Sequence, residues 1–231
     1  MCSSDLGGSQ MAICAAQMVA QIRPQVDGIV QKRAFTEGAM VKAGELLYQI
    51  DPATYEATVA SAEATLAKAQ ATEQSARLKA QRYAELVKAK AISTQDNDDA
   101  QASWKQAVAE IAAAKATLKS AKINLGYTRV TAPISGRIGK SSVTEGALVT
   151  NGQTDAMATV QQLDPIYVDV TESSNDFMHL KQESLQHGSD TKSVQLIMEN
   201  GQPYALKGTL QFSDVTVDES TGSITLRAIF P

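Results

Sequence analysis

Apolar residues recur at alternating intervals of three and four along the middle of the chain, between residues 53 and 125. This stretch contains neither glycine nor proline and is rich in alanine, which favours helix because alanine loses little conformational freedom there. The pattern breaks once, near residues 88–93, so we predict two antiparallel helices over roughly 53–87 and 94–125. The predicted seam residues are Tyr55, Val59, Ala62, Leu66, Ala69, Glu73, Ala76, Ala80, Tyr83 and Val87, and then Trp104, Ala107, Ile111, Ala114, Leu118, Ala121 and Leu125. Such a heptad repeat is typical of a coiled-coil hairpin.

The residues at the helix ends support this interpretation. Asp51 is placed to cap the first helix, with Pro52 at its first position, and Ser93 to cap the second, with Asp96 three residues further on. Glu73 is the only polar residue of the predicted seam. A two-helix piece of an ordinary bundle is the alternative, and it is disfavoured because bundle helices are shorter and have a wider apolar face.

Short β-prone segments separated by glycine turns flank the hairpin, and they are related by an internal repeat. A shift of 108 positions places seven residues of the first copy on identical residues of the second. These are Gly28, Thr36, Glu37, Gly38, Ala39, Val41 and Gly44, which fall on Gly136, Thr144, Glu145, Gly146, Ala147, Val149 and Gly152. Neither copy is long enough to bury its apolar side alone. We therefore predict that 21–51 and 127–163 close on each other, with the hairpin inserted between them.

From residue 164 to 231 the pattern predicts further strands, near 166–170, 194–198, 205–212 and 223–230. A short helix is expected from Ser173 or Ser174 to about Leu185, and a tight turn at Asn200 and Gly201.

Composition excludes several classes of function. The net charge of −4 and the aromatic content of 5% do not indicate nucleic-acid binding. His179 and His187 are interpreted as surface residues, and Cys2 and Cys14 as incidental. We find no motif for a catalytic, cofactor or metal site. Residues 1–10 lack any periodicity, with a cloning or sequencing scar as one interpretation, and residues 11–20 are mildly apolar without the pattern of a complete signal peptide. The segment 1–20 is therefore left unassigned.

Two half-motifs around a long hairpin resemble the periplasmic adaptor subunits, or membrane fusion proteins, of RND-type bacterial efflux pumps. Residues 23–30, 37–52 and 124–138 carry the resemblance. It implies an elongated α+β fold: a lipoyl-like (barrel-sandwich hybrid) β-domain split by a long antiparallel coiled-coil α-hairpin at 52–126, then a partial β-barrel domain at 164–231. Because the family usually continues beyond such a barrel segment, the resemblance also implies that the chain is a fragment.

The hairpin tip, at about 88–93, resembles the part of the family that meets a TolC-like outer-membrane channel. Arg82, Leu86 and Ser93 match its Arg, Leu and Ser in type and spacing. Arg82 supplies donors for carbonyls or carboxylates, Leu86 an apolar knob one turn further on, and Ser93 a cap that leaves room for close approach. An exposed arginine that is merely solvated is the structural alternative.

The resemblance implies a non-enzymatic adaptor in the periplasm, anchored to the inner membrane in the full-length protein. Several copies would form a ring that joins an inner-membrane RND transporter to the channel for drug efflux, without a cofactor and without nucleic acid. One alternative is an adaptor of an ABC or major-facilitator exporter. Another is a lipoyl or biotinyl carrier, but neither the Asp-Lys-Ala nor the Met-Lys-Met tripeptide of carriers occurs, and the hairpin occupies their position. A purely structural coiled-coil protein is a third alternative.

Overall fold

The computed structural model of the chain describes residues 2–5, 9–173, 193–197, 202–211 and 223–231. Its elements in chain order are β1 (Cys2–Asp5), β2 (Ser9–Ile22), β3 (Gly28–Arg33), β4 (Met40–Val41), β5 (Leu46–Ile50), α1 (Ala53–Lys88), α2 (Thr94–Tyr127), β6 (Arg129–Thr131), β7 (Gly136–Ile138), β8 (Leu148–Val149), β9 (Ala158–Ser173), β10 (Ser193–Val194), β11 (Gly208–Gln211) and β12 (Ser223–Phe230). Two long helices therefore separate two groups of strands, as the sequence pattern predicts.

Helices α1 and α2 form the predicted antiparallel hairpin. Every residue of the predicted seam is buried or half-buried, which confirms the heptad pattern on both helices. Alanines occupy the most buried positions, so the two backbones approach closely. At ~1.5 Å of rise per residue, the 36 residues of α1 extend about 50 Å.

The start of α1 differs in detail from the prediction. Pro52 is the N-cap residue and Asp51 lies one position before it. The Asp51 carboxylate still accepts a hydrogen bond from the Ala53 backbone N–H at 3.1 Å, and another at 3.1 Å from Gln31 Nε2. Asp51 thus accepts a hydrogen bond from the first turn of α1 although it lies outside the helix, and its second hydrogen bond links this turn to strand β3.

The one polar residue of the seam has a partner on the other helix. Trp104 Nε1 donates a hydrogen bond to Glu73 Oε1 at 2.8 Å, and Arg77 Nε lies 3.6 Å from the same oxygen. The Glu73 side chain is only 19% exposed. Because a polar pair at a heptad position is satisfied in one alignment only, this bond selects the register of the two helices.

We expect Trp104→Phe to lower the free energy of unfolding by about 1–3 kcal/mol, because the Glu73 carboxylate then lacks its indole donor. Adding Glu73→Leu is expected to restore most of this loss, since leucine suits a heptad position. Chemical denaturation of both single variants and the double variant measures the coupling. Losses that simply add in the double variant would show that the two side chains do not act as a pair.

The two copies of the internal repeat pair with each other, as predicted. Strand β3 pairs with β8, and β4 pairs with β7. The contacts are reciprocal: Gly38 N donates to Ile138 O at 2.9 Å, and Gly146 N donates to Val30 O at 2.8 Å. Gly146 and Ile138 are the repeat equivalents of Gly38 and Val30, so the duplicated sequence forms one pseudo-symmetric β-domain.

This β-domain has one core, built from both copies. A four-stranded sheet has the order β6-β5-β3-β8, and β7 joins β4 and β9 in a second sheet. The large side chains that are almost completely buried between them are Val30, Leu47, Tyr48, Ile50, Ile138, Val149, Met157 and Val160. The hairpin leaves this core from β5 and returns to it at β6, so its base rests on a closed unit.

Tyr48 lies at the centre of this core. Its hydroxyl is 2.6 Å from Ser141 Oγ and donates to Met157 O at 3.0 Å, while Phe35 packs edge-on against its ring. Burial raises the pKa of Tyr48 above its ordinary value of 10.0. The folded protein therefore holds this proton more tightly than the unfolded chain does.

The contribution of Tyr48 to stability is expected to be fully present below about pH 10 and to be lost as the pH rises through its folded-state pKa. Tyr48→Phe should remove that alkaline loss, but at neutral pH it should cost about 1–3 kcal/mol because the buried partners lose a hydrogen bond. Urea denaturation of both proteins at neutral and strongly alkaline pH measures the difference. The assignment would be contradicted if the difference in free energy of unfolding between the two proteins were the same at neutral and at strongly alkaline pH.

Strand β2 occupies part of the segment, 1–20, that the sequence pattern left unassigned. It pairs antiparallel with β9, from Ala12 opposite Val170 to Ile22 opposite Ala158. Its alternation is interrupted where the register shifts between Ala16 and Met18. The strand escaped prediction because this irregularity hides the period of two and because its partner lies far away in the sequence.

The second group of strands forms an antiparallel sheet in the order β9-β12-β11-β10. Across β9 and β12, Arg227 binds Asp169 through two hydrogen bonds of 2.7 and 2.9 Å.

Strands are described at 193–194, 208–211 and 223–230, shorter than predicted in the first two cases. The predicted short helix at 173–185, the turn at Asn200 and Gly201, and both histidines lie outside the described residues, except for Ser173 at the end of β9. The predicted domain limits stay a prediction.

Candidate functional site

The first helix of the hairpin ends in a tight backbone motif. Lys90 N donates to Val87 O and Ala91 N donates to Leu86 O, both at 2.9 Å, which are the two bonds of a Schellman motif. Lys90 has a φ of 58°, a left-handed conformation that glycine usually adopts. For a residue with a Cβ this conformation costs roughly 1–2 kcal/mol. The chain thus reverses directly after α1, and Leu86 lies in its last turn.

The second helix begins with the predicted Ser93 cap. Ser93 has extended backbone angles, and its Oγ accepts a hydrogen bond from Asp96 N at 3.1 Å. The same hydroxyl donates to Asp96 Oδ2 at 2.6 Å. Both hydrogen-bonding functions of the Ser93 side chain are therefore used within the tip, and its contribution to the site is to hold the start of α2 in place.

Arg82 and Leu86 lie one turn apart on the outside of α1. The described contact of the Arg82 side chain is a hydrogen bond of 3.4 Å from Nε to Leu78 O, and no acidic partner for it occurs in the described part of the chain. Leu86 is 40% exposed. The structure therefore places a guanidinium fork and an apolar side chain together, while Ser93 lies across the turn at the start of the other helix.

The tip carries opposite charges on its two helices. The cationic residues near the end of α1 are Arg82 and Lys88, with Lys90 in the turn that follows, and the anionic residues at the start of α2 are Asp96, Asp98 and Asp99. Lys88 is paired with Glu85 at 2.9 Å. The acidic residues also lie near the N-terminus of α2, where carboxylates interact favourably with the helix dipole. A partner at the tip thus meets a basic side and an acidic side.

Sequence reasoning missed one polar residue near the tip. Asn97 Oδ1 is shielded from water and has no hydrogen-bond partner within the described ranges. Extending the seam back from Trp104 by four and then three residues leads to Ala100 and Asn97. The heptad spacing was therefore the signal that could have identified Asn97.

Within the described residues, no cluster of three or more His, Cys, Asp and Glu side chains is arranged to hold a metal ion. No described helix has the length and apolar character needed to cross a bilayer.

Two family models match the chain. The model for the barrel-sandwich hybrid domain of RND membrane fusion proteins matches residues 18–161. The model for the β-barrel domain of the same proteins matches residues 165–231. Together they account for the closed β-domain with its hairpin and for the strands that follow.

Curated relatives agree with these models. Multidrug export protein AcrE of Escherichia coli K12 is 65% identical over 220 residues, which are 94% of this chain and 57% of AcrE. Multidrug efflux pump subunit AcrA of the same strain is 58% identical over 221 residues, 94% of this chain and 56% of AcrA. Multidrug resistance protein MexA of Pseudomonas aeruginosa is 53% identical over 218 residues, 92% of this chain and 53% of MexA. The chain thus spans a little over half the length of these relatives.

Solved structures show the same architecture. A MacA-MexA chimeric protein that contains the Pseudomonas aeruginosa MexA α-hairpin domain is 30% identical, with a TM-score of 0.61 over 95% of this chain and 74% of that chain. The membrane fusion protein Spr0693 of Streptococcus pneumoniae is 15% identical, with a TM-score of 0.71 over 96% of this chain and 92% of that chain, and shows the fold alone. With both of its β-domains matched by the family's models, the chain belongs to the membrane fusion proteins of the RND type.

Proposed function

We propose that this chain is the central part of a periplasmic adaptor that links an inner-membrane RND transporter to a TolC-like outer-membrane channel. The assembled pump expels drugs and other xenobiotics. The adaptor acts by self-assembly and docking, and it catalyses no reaction. It works in the periplasm, and the full-length protein is anchored to the inner membrane.

The observation that carries this proposal is the form of the hairpin. Helices of 36 and 34 residues leave a closed β-domain, pack through an alanine-rich seam and end in a compact turn. Close packing and the Trp104–Glu73 bond make the hairpin a stiff spacer rather than a flexible linker. Such a spacer suits a protein that must hold two partners a fixed distance apart.

The tip supplies the chemistry for docking. The Arg82 guanidinium has no acidic partner among the described residues, so its N–H donors are available for carbonyls or carboxylates of the channel. Leu86 adds an exposed apolar contact one turn further on. Ser93 keeps the turn compact by capping α2. We propose that these three residues form the contact with the channel.

The family supports the RND class of transporter over an ABC or major-facilitator exporter, because both matching models are those of RND proteins. The relatives' names give the cargo: multidrug export for AcrE, and, in Pseudomonas putida, antibiotics for the periplasmic linker protein ArpA and toluene for the periplasmic linker protein TtgA. We extend drug efflux from them to this chain.

Exchange of the matching region tests the proposal. The 220 residues of AcrE that match this chain are replaced by their counterparts here, and the chimaera is expressed in Escherichia coli lacking both AcrE and AcrA. We expect drug resistance to be restored to the level that intact AcrE gives from the same plasmid. A chimaera that accumulates normally in the periplasm yet gives no resistance would contradict the proposed function.

A further inference from the structure

We infer that the outer end of the hairpin, beyond the Trp104–Glu73 bond, opens as a local unit and that Asn97 is the residue that makes it open. The inference rests on the proposed function in one respect, because the channel is expected to bind the tip. It goes further because it assigns the tip two states and names the residue that sets the balance between them.

Helix α2 presents a regular seam that is broken once. Residues of two kinds recur every seven positions along it, small buried ones (Ala100, Ala107, Ala114 and Ala121) and larger half-buried ones (Trp104, Ile111, Leu118 and Leu125). The next member of the second series towards the tip is Asn97. A polar residue therefore takes the position that Trp, Ile or Leu occupies in the rest of the series.

The Asn97 side chain gains no described hydrogen bond in return for its place in the seam. Its Oδ1 is shielded from water, and no donor to it occurs among the described residues. An unpaired polar group in a seam raises the free energy of the closed state, and separation of the helices relieves it because water then reaches the amide. Asn97 thus favours opening at a position where an apolar residue would favour closure.

The side-chain bonds between the two helices lie below the outer end. In the described part of the chain they join Trp104 to Glu73 and, nearer the base, Lys122 to Glu63 at 2.9 Å. Beyond Trp104, the described side-chain bonds stay within one helix or its cap. The hairpin is therefore divided into an inner part whose helices are linked and an outer part whose helices are not.

The outer segments are also too short to remain helical by themselves. Each helix contributes about a dozen residues or fewer beyond the Trp104–Glu73 bond, and isolated helices of that length are marginal in water. The turn that joins them contains Lys90 at a φ of 58°, which is unfavourable for a residue with a Cβ and is relieved when the turn opens. Separation of this end therefore exposes its backbone N–H groups while the inner hairpin keeps its seam.

A local opening of this kind serves docking to the channel. The inner hairpin stays a stiff spacer, while the open end presents the Asn97 amide and freed backbone groups to the peptide groups of a partner. A partner that binds these groups shifts the tip towards the open state, because they are available in that state alone.

Hydrogen–deuterium exchange of the purified chain, measured by mass spectrometry of peptic fragments, tests the opening. After correction for intrinsic rates, the amides of 78–87 and 97–101 are expected to exchange about tenfold faster, or more, than those of 57–71 and 105–121. Asn97→Leu is expected to slow the outer amides by about tenfold, because it removes one unsatisfied group, and to leave the inner amides unchanged. Equal exchange in the two parts of the parent chain, or outer amides that Asn97→Leu does not slow, would overturn the inference.

Two further variants separate the role of Asn97 from general effects. Asn124→Leu makes the same chemical change at an exposed position near the base of α2, and exchange at the tip is expected to stay as in the parent. Lys90→Gly favours the closed turn without changing Asn97, since glycine adopts the left-handed conformation without steric cost, and it should slow the outer amides several-fold. Slowing by Asn124→Leu equal to that by Asn97→Leu, or none by Lys90→Gly, would also overturn the inference.

Drug susceptibility of strains with the full-length adaptor tests the role in docking. Asn97→Leu and Lys90→Gly are both expected to lower resistance at an unchanged amount of adaptor, because binding requires the open fraction, whereas Asn124→Leu retains it. Full resistance in a strain whose adaptor shows slowed exchange at the tip would overturn the link between opening and docking. Loss of efflux in the Arg82→Asp strain would still support docking at the tip, so the two failures can be told apart.

Discussion

Replacing Arg82 with aspartate in the full-length adaptor is expected to abolish drug efflux without lowering the amount of protein. The side chain is exposed, and its described contact is a single long hydrogen bond to Leu78 O, so folding hardly depends on it. The substitution replaces a fork of donors by acceptors of opposite charge, which repel the carbonyls and carboxylates that an arginine binds. Drug susceptibility and immunoblotting of the periplasmic fraction measure the two quantities.

A lysine further down the same helix controls for the charge change. Lys68 is exposed on α1, far from the tip, and Lys68→Asp should leave resistance intact. Arg82→Lys should give intermediate resistance, since an ammonium group lacks the planar fork. Normal resistance in the Arg82→Asp strain would count against tip docking, and equal losses from Lys68→Asp would point to a general effect on the hairpin.

Gly136→Ala is expected to unfold the closed β-domain or to destabilise it by about 3 kcal/mol or more, as severe overpacking does. A Cβ at this position would lie 2.4 Å from the Gln161 carbonyl oxygen and 2.7 Å from its carbon. These are backbone atoms of β9, where Arg137 pairs with Gln161, so no side-chain rotation relieves the clash. Thermal unfolding followed by circular dichroism at β-sheet wavelengths measures the loss.

Gly126→Ala is the matched substitution. Gly126 lies in the last turn of α2, and a Cβ there would have no described atom within 4 Å apart from its chain neighbours and the nearby backbone of its own helix. Alanine in a helix is favoured over glycine by about 0.5–1 kcal/mol, so this variant should be slightly more stable than the parent. If Gly136→Ala melted at the same temperature as Gly126→Ala, the close approach of β7 to β9 would not be needed for folding.

Local pattern was enough to predict the hairpin, its tip and the closure of the two repeat copies. Helical contacts recur every three or four residues, so burial of one stripe is already visible in the order of residues, and all the seam positions named from sequence are shielded in the structure. The Ser93 cap involves residues three positions apart and was equally visible. A repeated set of turn glycines indicated that the two copies share a core, because one copy alone has too few apolar residues.

Partnerships between distant residues needed the folded chain. The pairing of β2 with β9 and the bond from Trp104 to Glu73 join segments that are far apart in the sequence. The packing of both helices and both sheets together decides which polar side chains form pairs across the seam. It also decides which strands pair and which strand edges stay open. The order of residues therefore determined the two helices, the turn between them and the closure of the repeat copies. Tertiary structure alone decided which residues contact each other across the core and which strands pair over long distances.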